Sequence, residues 1–197
     1  MKTVFFDVDT QMDFLYPAGA LYAPGAERIM PSLARLNRYA QERGIVVVST
    51  TDAHSEDDPE FRTWPPHCVA GTTGQQKPQV TLLEKRAVVP SDPGEHSIAG
   101  AEQVIIEKQT LDCFSNKNLP VVLSRLGAER YIVYGVVTEI CVRLAALGLL
   151  KTGARVELVT DAVRCLSEQE SRRTLEEFTS TGGVVTTVDE VCARPRP

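Results

Sequence analysis

The alternation of short apolar runs with longer segments of helical period is the feature that most restricts the fold of this chain. Apolar runs rich in β-branched and aromatic residues are separated by segments whose apolar side chains recur every three or four residues. This order is typical of parallel strands joined by crossover helices. We therefore predict an α/β fold, a three-layer sandwich with a mostly parallel central sheet of about six strands. The predicted strands span residues 3–8, 45–50, 103–107, 130–136, 155–160 and 184–187.

Helices are predicted between these strands. They cover residues 27–43, 119–126, 138–151 and 167–179, followed by a short helical tail. Ser167 and Glu170 have capping-box spacing at the start of the last long helix. The segments 80–90 and 92–100 fit neither pattern, and 51–78 is a long polar loop of the kind that often carries function. Without internal repeats or a linker between two cores, residues 1–197 are predicted to form a single domain.

Charge and cysteine content exclude several classes of protein. The chain has 21 Lys and Arg against 26 Asp and Glu, a formal net charge of −5, and no basic run that could follow a phosphate backbone, so we expect no nucleic-acid partner. Asp7 and Asp9 come too early for a signal peptide, and no apolar stretch is long enough to span a membrane. The five cysteines form no CxxC pair, which suits a reducing compartment. We expect a cytoplasmic protein.

Chemically reactive residues follow four of the predicted strands. They are Asp9, the pair Asp52 and His54, Lys108, and Cys141 at the start of a helix. In open parallel sheets, ligands bind beyond the carboxyl ends of the strands. These side chains are therefore expected to converge on one site.

Cys141 is the candidate nucleophile. If Thr138 caps the helix, Cys141 is its third residue, where unpaired backbone amides and the helix dipole favour a thiolate and could bind an oxyanion. Asp9 could transfer the thiol proton, and Lys108 could keep both partners charged. The alternatives are a small buried apolar residue for Cys141, a capping carboxylate for Asp9 and a solvated side chain for Lys108, with Lys85 as a rival lysine.

Metal-ligand side chains cluster in the long loop. Asp52 and His54 point to one side of an extended chain, His67 follows in the same loop, and Glu60 adds a carboxylate. Mixed imidazole and carboxylate ligands suit zinc, iron or manganese. Phe14 and Trp64 flank these groups and could form the walls for a flat ring. The alternatives are polar residues that cap turns and aromatic residues that belong to the core.

Five segments together resemble the isochorismatase-like superfamily of cysteine hydrolases, and especially its nicotinamidase branch. The segments are FDVDTQMDF at 6–14, DAH at 52–54, WPPHCVAGT at 64–72, IEKQ at 106–109 and GVVTEICV at 135–142. The resemblance implies that Asp9, Lys108 and Cys141 are catalytic and that the Val137 and Cys141 amides form the oxyanion hole. It also implies that Asp52, His54, Glu60 and His67 bind a divalent metal, with zinc favoured, and that Phe14, Trp64 and Phe114 contact substrate.

By the same resemblance, the chain is an amidohydrolase that converts nicotinamide, or a similar aromatic amide, to the acid and ammonia through a cysteine thioester. A homo-oligomer is expected. Glu60 stands where many relatives have histidine, the segment from His67 to Lys108 is longer than in compact nicotinamidases, and Ile140 occupies a position that is often polar.

Three other functions fit parts of the sequence. The first is hydrolysis of another small amide or ureide by the same cysteine. The second is a phosphatase of the haloacid-dehalogenase type, in which Asp7 attacks phosphorus and Asp9 is the acid and base. The third is a non-enzymatic interaction subunit with a structural metal, which leaves Cys141 unexplained.

Overall fold

Seven strands form one sheet in this computed structural model, which describes residues 1–194. The strands are β1 Thr3–Val8, β2 Val47–Asp52, β3 Arg86–Val89, β4 Gln103–Lys108, β5 Arg130–Val136, β6 Arg155–Arg164 and β7 Val184–Thr186. Their order is β3-β4-β2-β1-β5-β6-β7, and every neighbouring pair is parallel. The predicted α/β class is confirmed. The additional strand is β3, a four-residue edge strand within the segment 80–90 that the sequence pattern left unassigned.

Helices cover both faces of the sheet. They are α1 Met12–Leu15, α2 Met30–Glu42, α3 Leu119–Leu126, α4 Arg143–Leu150, α5 Glu168–Ser180 and α6 Val188–Cys192. Apolar side chains of α2 and α6 pack on one face, and those of α3, α4 and α5 pack on the other, which gives three layers. No helix within the described part of the chain combines the length and the apolar character needed to cross a membrane.

The order of the strands reverses at β1. On one side of β1 the sheet contains β2, β4 and β3, in that spatial order, and on the other side it contains β5, β6 and β7. Ligand sites of open α/β sheets lie where the strand order reverses in this way. Gly135, with φ of 123°, brings β5 close to β1, since a Cβ there would lie 2.1 Å from the Val8 carbonyl oxygen.

The segment after β5 differs from the expected helix. Val137 is extended and precedes a single π-helical turn, Thr138–Val142, which continues into α4. The Val142 amide donates to the Val137 carbonyl, as the i to i+5 pattern of a π-helix requires. The prediction that Thr138 caps this helix is therefore wrong by one residue. The peptide bond between Val136 and Val137 is cis.

The long loop after β2 lies against the chain that follows β1. Residues 74–77, which we call the strap, run beside residues 11–13: the Asp13 and Met12 amides donate to the carbonyls of Gly74 and Gln76 at 3.1 and 2.9 Å. Near the start of the same loop, His54 and Val69 form a parallel β-bridge. The loop is thereby fixed to the carboxyl end of β1.

Candidate active site

A cavity of about 410 Å³, counting its open mouth, lies at the carboxyl ends of β1 and β5. Most of its walls are apolar, and carboxylates and an imidazole lie at one end. The lining residues are Asp9, Phe14, Leu21, Asp52, Glu60, Trp64, His67, Leu111, Val136, Val137, Ile140, Cys141 and Leu166. An apolar cavity with a few convergent polar groups is typical of a small-molecule site.

Lys108 is the centre of a buried group of reactive side chains. Its Nζ lies 2.9 Å from Asp9 Oδ2, contacts Asp52 Oδ1, and lies 3.8 Å from Cys141 Sγ. Each of these side chains comes from the end of a different strand, and all four are buried. The structure thus brings together Asp9, Lys108 and Cys141, as expected for residues that follow the carboxyl ends of parallel strands. Lys85 is exposed and pairs with Glu102 on the surface.

A left-handed turn aims the Asp9 carboxylate into this group. Asp9 has φ of 48°, which is unusual for a residue other than glycine. The Thr50 hydroxyl donates to Asp9 Oδ1 at 2.6 Å, and the Asp9 amide donates to the Thr50 carbonyl at 3.2 Å. Two bonds to β2 therefore hold Asp9 where β1 ends.

Burial controls the protonation of the thiol. Burial raises the pKa of Cys141 well above its usual range; the charge of Lys108 opposes this, and Asp9 and Asp52 add to it. Burial lowers the pKa of Lys108, but its two carboxylate partners outweigh that effect and leave the pKa raised. Burial thus favours the neutral thiol beside the Lys108 ammonium. This effect of desolvation opposes the thiolate that the position at a helix start predicts.

A second cluster lies beside the first. Asp52 Oδ2 is 3.9 Å from Nε2 of both His54 and His67, and Glu60 Oε1 is 4.0 and 3.9 Å from the same two nitrogens. One atom from each of Asp52, His54 and His67 lies within 4.8 Å of the others, close enough for a shared metal ion. Burial lowers the pKa of His67, so its ring is neutral, as a metal ligand must be.

Outer contacts orient both imidazole rings. His67 Nδ1 lies 2.8 Å from the Pro65 carbonyl, and His54 Nδ1 lies 3.0 Å from Asp58 Oδ2. Asp58 also accepts the Glu60 amide at 2.8 Å and caps the short 3₁₀-helix Pro59–Arg62. Each ring therefore turns Nε2 towards the cluster. Asp58 was not singled out by the sequence analysis, although its spacing of four residues from His54 is a usable signal.

The donor set fits a divalent ion. His54 is fully buried, yet its Nε2 has no hydrogen-bond partner among the described residues. Asp9, Asp52 and Glu60 bring three carboxylates to this end of the cavity, and Lys108 brings one ammonium. Burial raises the pKa of Asp52 to about 6 and also raises that of Glu60. A divalent cation would supply the positive charge that this group lacks.

The expected aromatic walls are only partly present. Phe14 and half-buried Trp64 line the cavity, and the Phe14 ring lies 5.4 Å from that of His67. Phe114 is placed elsewhere: its ring packs against Gly148 on α4, where the missing side chain leaves room for it. The expectation that Phe114 contacts substrate has no support in this arrangement. Leu21, Leu111 and Leu166 line the cavity and were not predicted.

Asp7 lies apart from the cavity. It is fully buried, and its carboxylate is 3.0 Å from Lys77 Nζ and accepts the Thr10 hydroxyl. A phosphatase nucleophile must be open to substrate, so this placement does not support the phosphatase alternative.

A buried thiol, ammonium and carboxylate beneath an apolar cavity, at the carboxyl edge of a parallel sheet, define an α/β enzyme equipped for nucleophilic hydrolysis. Comparison with known proteins agrees. The model of the isochorismatase domain family matches residues 3–190. The chain belongs to this family and is a hydrolase of it.

Two solved structures and one sequence relative illustrate the similarity. Pyrazinamidase of Pyrococcus horikoshii, solved in complex with zinc, is 31% identical with a TM-score of 0.79, and the match covers 95% of this chain and 99% of that one. N-carbamoylsarcosine amidase from Thermoplasma acidophilum is 25% identical with a TM-score of 0.76, over 96% and 98% of the two chains. Nicotinamidase of Escherichia coli strain K12 is 24% identical, over 92% of each chain.

Proposed function

We propose that this protein is an amidohydrolase that converts nicotinamide, or a similar uncharged aromatic amide, to the carboxylic acid and ammonia. The observation that carries the proposal is the position of Cys141, which shares one narrow apolar cavity with Phe14, Trp64 and the histidine and carboxylate cluster. A flat ring with a polar nitrogen fits such walls. The similarity to a nicotinamidase and a pyrazinamidase points to the same substrate class.

The charges around the cavity favour an uncharged substrate. Among the described residues that line it, three are carboxylates and none is lysine or arginine, while Lys108 beneath is engaged by Asp9 and Asp52. An anionic amide such as N-carbamoylsarcosine carries a carboxylate that would find no lysine or arginine here, so a bound divalent ion would be its one cationic partner among the described lining groups. Hydrolysis of another small amide or ureide is the second candidate, supported by the similarity to N-carbamoylsarcosine amidase.

The first half of the proposed reaction forms the thioester. The Cys141 sulfur attacks the amide carbonyl carbon while its proton passes to the Asp9 carboxylate. The carbonyl oxygen becomes an oxyanion, which we assign to the backbone N–H groups of Val137 and Cys141 at the start of the helical segment. The C–N bond then breaks, and Asp9 returns the proton to the departing ammonia.

The second half releases the acid. Asp9 takes a proton from a water molecule as the water oxygen attacks the thioester carbonyl. The C–S bond breaks, the carboxylic acid leaves, and Asp9 returns the proton to the Cys141 sulfur. Lys108, in contact with both Asp9 and Asp52, holds the Asp9 carboxylate near the Cys141 sulfur between these steps.

Asp52, His54, His67 and Glu60 are the residues that would hold a divalent ion, with zinc favoured over iron and manganese. When bound, the ion would supply Lewis acidity at this end of the cavity. Phe14 and Trp64 enclose the ring and exclude water.

We also propose a cytoplasmic location, supported by the five free thiols.

The test is ammonia release from nicotinamide by the purified, metal-loaded protein. Wild-type protein is expected to release ammonia, and Cys141→Ala is expected to release none. Cys192→Ala, which removes a thiol from α6 away from the cavity, is the matched control and is expected to retain full activity. Full activity in Cys141→Ala would refute the assignment of the nucleophile.

A substrate panel separates the two candidates. Nicotinamide and pyrazinamide are compared with N-carbamoylsarcosine at equal concentration, and kcat/KM is measured for each. The proposal predicts that the uncharged aromatic amides are preferred. A preference for the anionic ureide would favour the second candidate and would show that the cavity recognises a carboxylate.

A further inference from the structure

A second buried lysine lies next to the catalytic turn. The side chain of Lys77, at the end of the strap, is 2% exposed, and its Nζ lies 3.0 Å from Asp7 Oδ2. The same ammonium donates to the Thr10 hydroxyl at 2.6 Å. Lys77, Asp7 and Thr10 have no part in the proposed reaction, and neither Lys77 nor Asp7 lines the cavity. A buried ion pair is costly to form, so its presence here calls for a specific reason.

The pair is part of a closed network of hydrogen bonds. The Thr10 hydroxyl donates to Asp7 Oδ1 at 2.8 Å, and the Ser49 hydroxyl on β2 donates to Asp7 Oδ2 at 3.3 Å. The Gln103 side chain on β4 donates to Ser49 at 2.8 Å and accepts the Leu83 amide. Each of these side chains has partners, so the network is rigid and connects three strands with the strap.

Asp9 lies between the two residues that Lys77 holds. Asp7 is the penultimate residue of β1, Thr10 directly follows Asp9, and the left-handed turn lies at Asp9 itself. Asp9 adopts a conformation that an L-residue rarely takes, so its surroundings must enforce it. The Lys77 ammonium contacts Asp7 before the turn and Thr10 after it, and thereby holds Asp9 in this conformation directly.

We propose that Lys77 is a positioning residue for Asp9. By holding Asp7 and Thr10 together, it fixes the turn that aims the Asp9 carboxylate at Lys108 and Cys141, and it ties the strap to that turn. This role rests on the proposed function in one respect, since Asp9 transfers a proton in that reaction. A residue that merely stabilised the fold would have no effect on proton transfer in molecules that remain folded.

Two variants remove the restraint in different ways. Asp7→Asn/Lys77→Met replaces the ion pair with a neutral pair of similar volume, which avoids an unpaired buried charge. Thr10→Val keeps the ion pair and removes only the hydroxyl beside Asp9. The matched control is Glu157→Gln. Glu157 is buried near the start of β6, at the amino ends of the strands, and the substitution breaks its ion pairs with Arg130, Arg155 and Arg194. Thermal unfolding and circular dichroism show which variants are folded.

Two readouts distinguish positioning from stability. For folded variants we expect kcat on nicotinamide to fall roughly 10- to 100-fold with little change in KM, because the proton acceptor is displaced and the ring site is not. The second readout is the rate of Cys141 alkylation by iodoacetamide at mildly alkaline pH, followed by mass spectrometry. A carboxylate near a thiol disfavours the thiolate, so displacing Asp9 is expected to speed alkylation of Cys141 but not of buried Cys165.

The outcomes separate this proposal from the proposed function. Lower kcat with faster Cys141 alkylation in either folded variant, and neither change in Glu157→Gln, supports the positioning role. Unchanged kcat and unchanged alkylation in every folded variant overturn it. If the wild-type protein hydrolyses no amide, the proposed function fails, while the alkylation rates still test whether Lys77 positions Asp9.

Discussion

Asp52 belongs to both clusters of the site. Its Oδ1 contacts Lys108, and its Oδ2 faces the Nε2 atoms of His54 and His67. Gln11 fixes its backbone, since the Gln11 side chain accepts the Asp52 amide at 2.7 Å and donates to the Asp52 carbonyl at 2.8 Å. One carboxylate therefore couples the group that transfers protons to the group that would bind metal.

This double role predicts different kinetic effects for two substitutions. His67→Asn removes a ligand only, so KM for nicotinamide should rise and metal affinity should fall by at least about 10-fold, while kcat at saturation changes less. Asp52→Asn should raise KM and also lower kcat, because Lys108 loses a partner next to Cys141. Steady-state kinetics with elemental analysis of metal content checks both. Equal effects of the two substitutions on kcat would contradict the coupling.

The buried thiol predicts the pH dependence of Cys141 reactivity. Because burial raises the pKa of Cys141, the thiolate fraction at neutral pH should be very small, and alkylation should be slow and still rise with pH beyond about 8.5, the ordinary value for cysteine. The measurement is the alkylation rate against pH in native protein. The control is the same protein in denaturant, where the rate should level off above the ordinary pKa. A native plateau at acidic or neutral pH would mean that the site stabilises the thiolate.

At the scale of elements, Glu139 joins the nucleophile segment to the start of α5. Its Oε1 accepts the amides of Leu166 and Ser167 at 2.8 and 2.7 Å, and Ser167 is the N-cap of α5. Leu166 lines the cavity and is 43% exposed, so little else restrains it. Glu139 therefore sets the position of one cavity wall relative to Cys141.

Glu139→Ala should affect substrate binding and stability together. Two charge-assisted hydrogen bonds are lost, so the free energy of unfolding should fall by about 2 kcal/mol, and KM should rise more than kcat falls because the Leu166 wall is released. Urea unfolding and steady-state kinetics measure the two effects. Thr187→Ala, which removes the capping box of α6 away from the cavity, should lower stability by about 1 kcal/mol and leave KM unchanged.

Sequence patterns predicted the elements with strong periodicity and missed those that depend on tertiary contacts. The apolar runs of β1 and β5 were located within the correct bounds, and the Ser167 cap is present, although the reciprocal bond from Glu170 is replaced by its contact with Arg173. The edge strand β3 has only four residues, too few to show a period. The π-turn before α4 differs from an α-helix only in its hydrogen bonds, which the spacing of apolar residues does not reveal.

The convergence of the candidate site residues was predictable because each lies at or just after the end of a predicted parallel strand, and such ends share one edge of the sheet. The contact of Lys77 with Asp7 was not predictable, since it joins segments that are distant in sequence. Phe114 is a contact that was expected but not found. The family resemblance implied that it contacts substrate, but its ring packs against Gly148 on α4.

At the scale of the whole molecule, the cluster of Asp52, His54, Glu60 and His67 connects the sheet to the long loop. Asp52 ends β2, His54 follows it, and His67 lies beyond the 3₁₀-helix in the same loop. Without a cation, three carboxylates and two buried imidazoles meet with incomplete charge balance. An ion bound by both parts would therefore stabilise the native chain as well as prepare the cavity for substrate.

Metal binding should for this reason be visible in stability when no substrate is present. A ligand that binds only the native state adds about 2.7 kcal/mol at a concentration 100-fold above its Kd, so chelation should lower Tm by several degrees, and added zinc should restore it. His67→Asn should have a lower Tm that responds weakly to chelator or zinc, because one ligand is missing. His96→Asn is the matched control, as His96 is a partly exposed histidine outside the cluster, and its Tm should respond like that of the wild type. A wild-type Tm that is insensitive to both chelator and zinc would show that Asp52, His54 and His67 hold no exchangeable ion, whatever the activity of the cysteine.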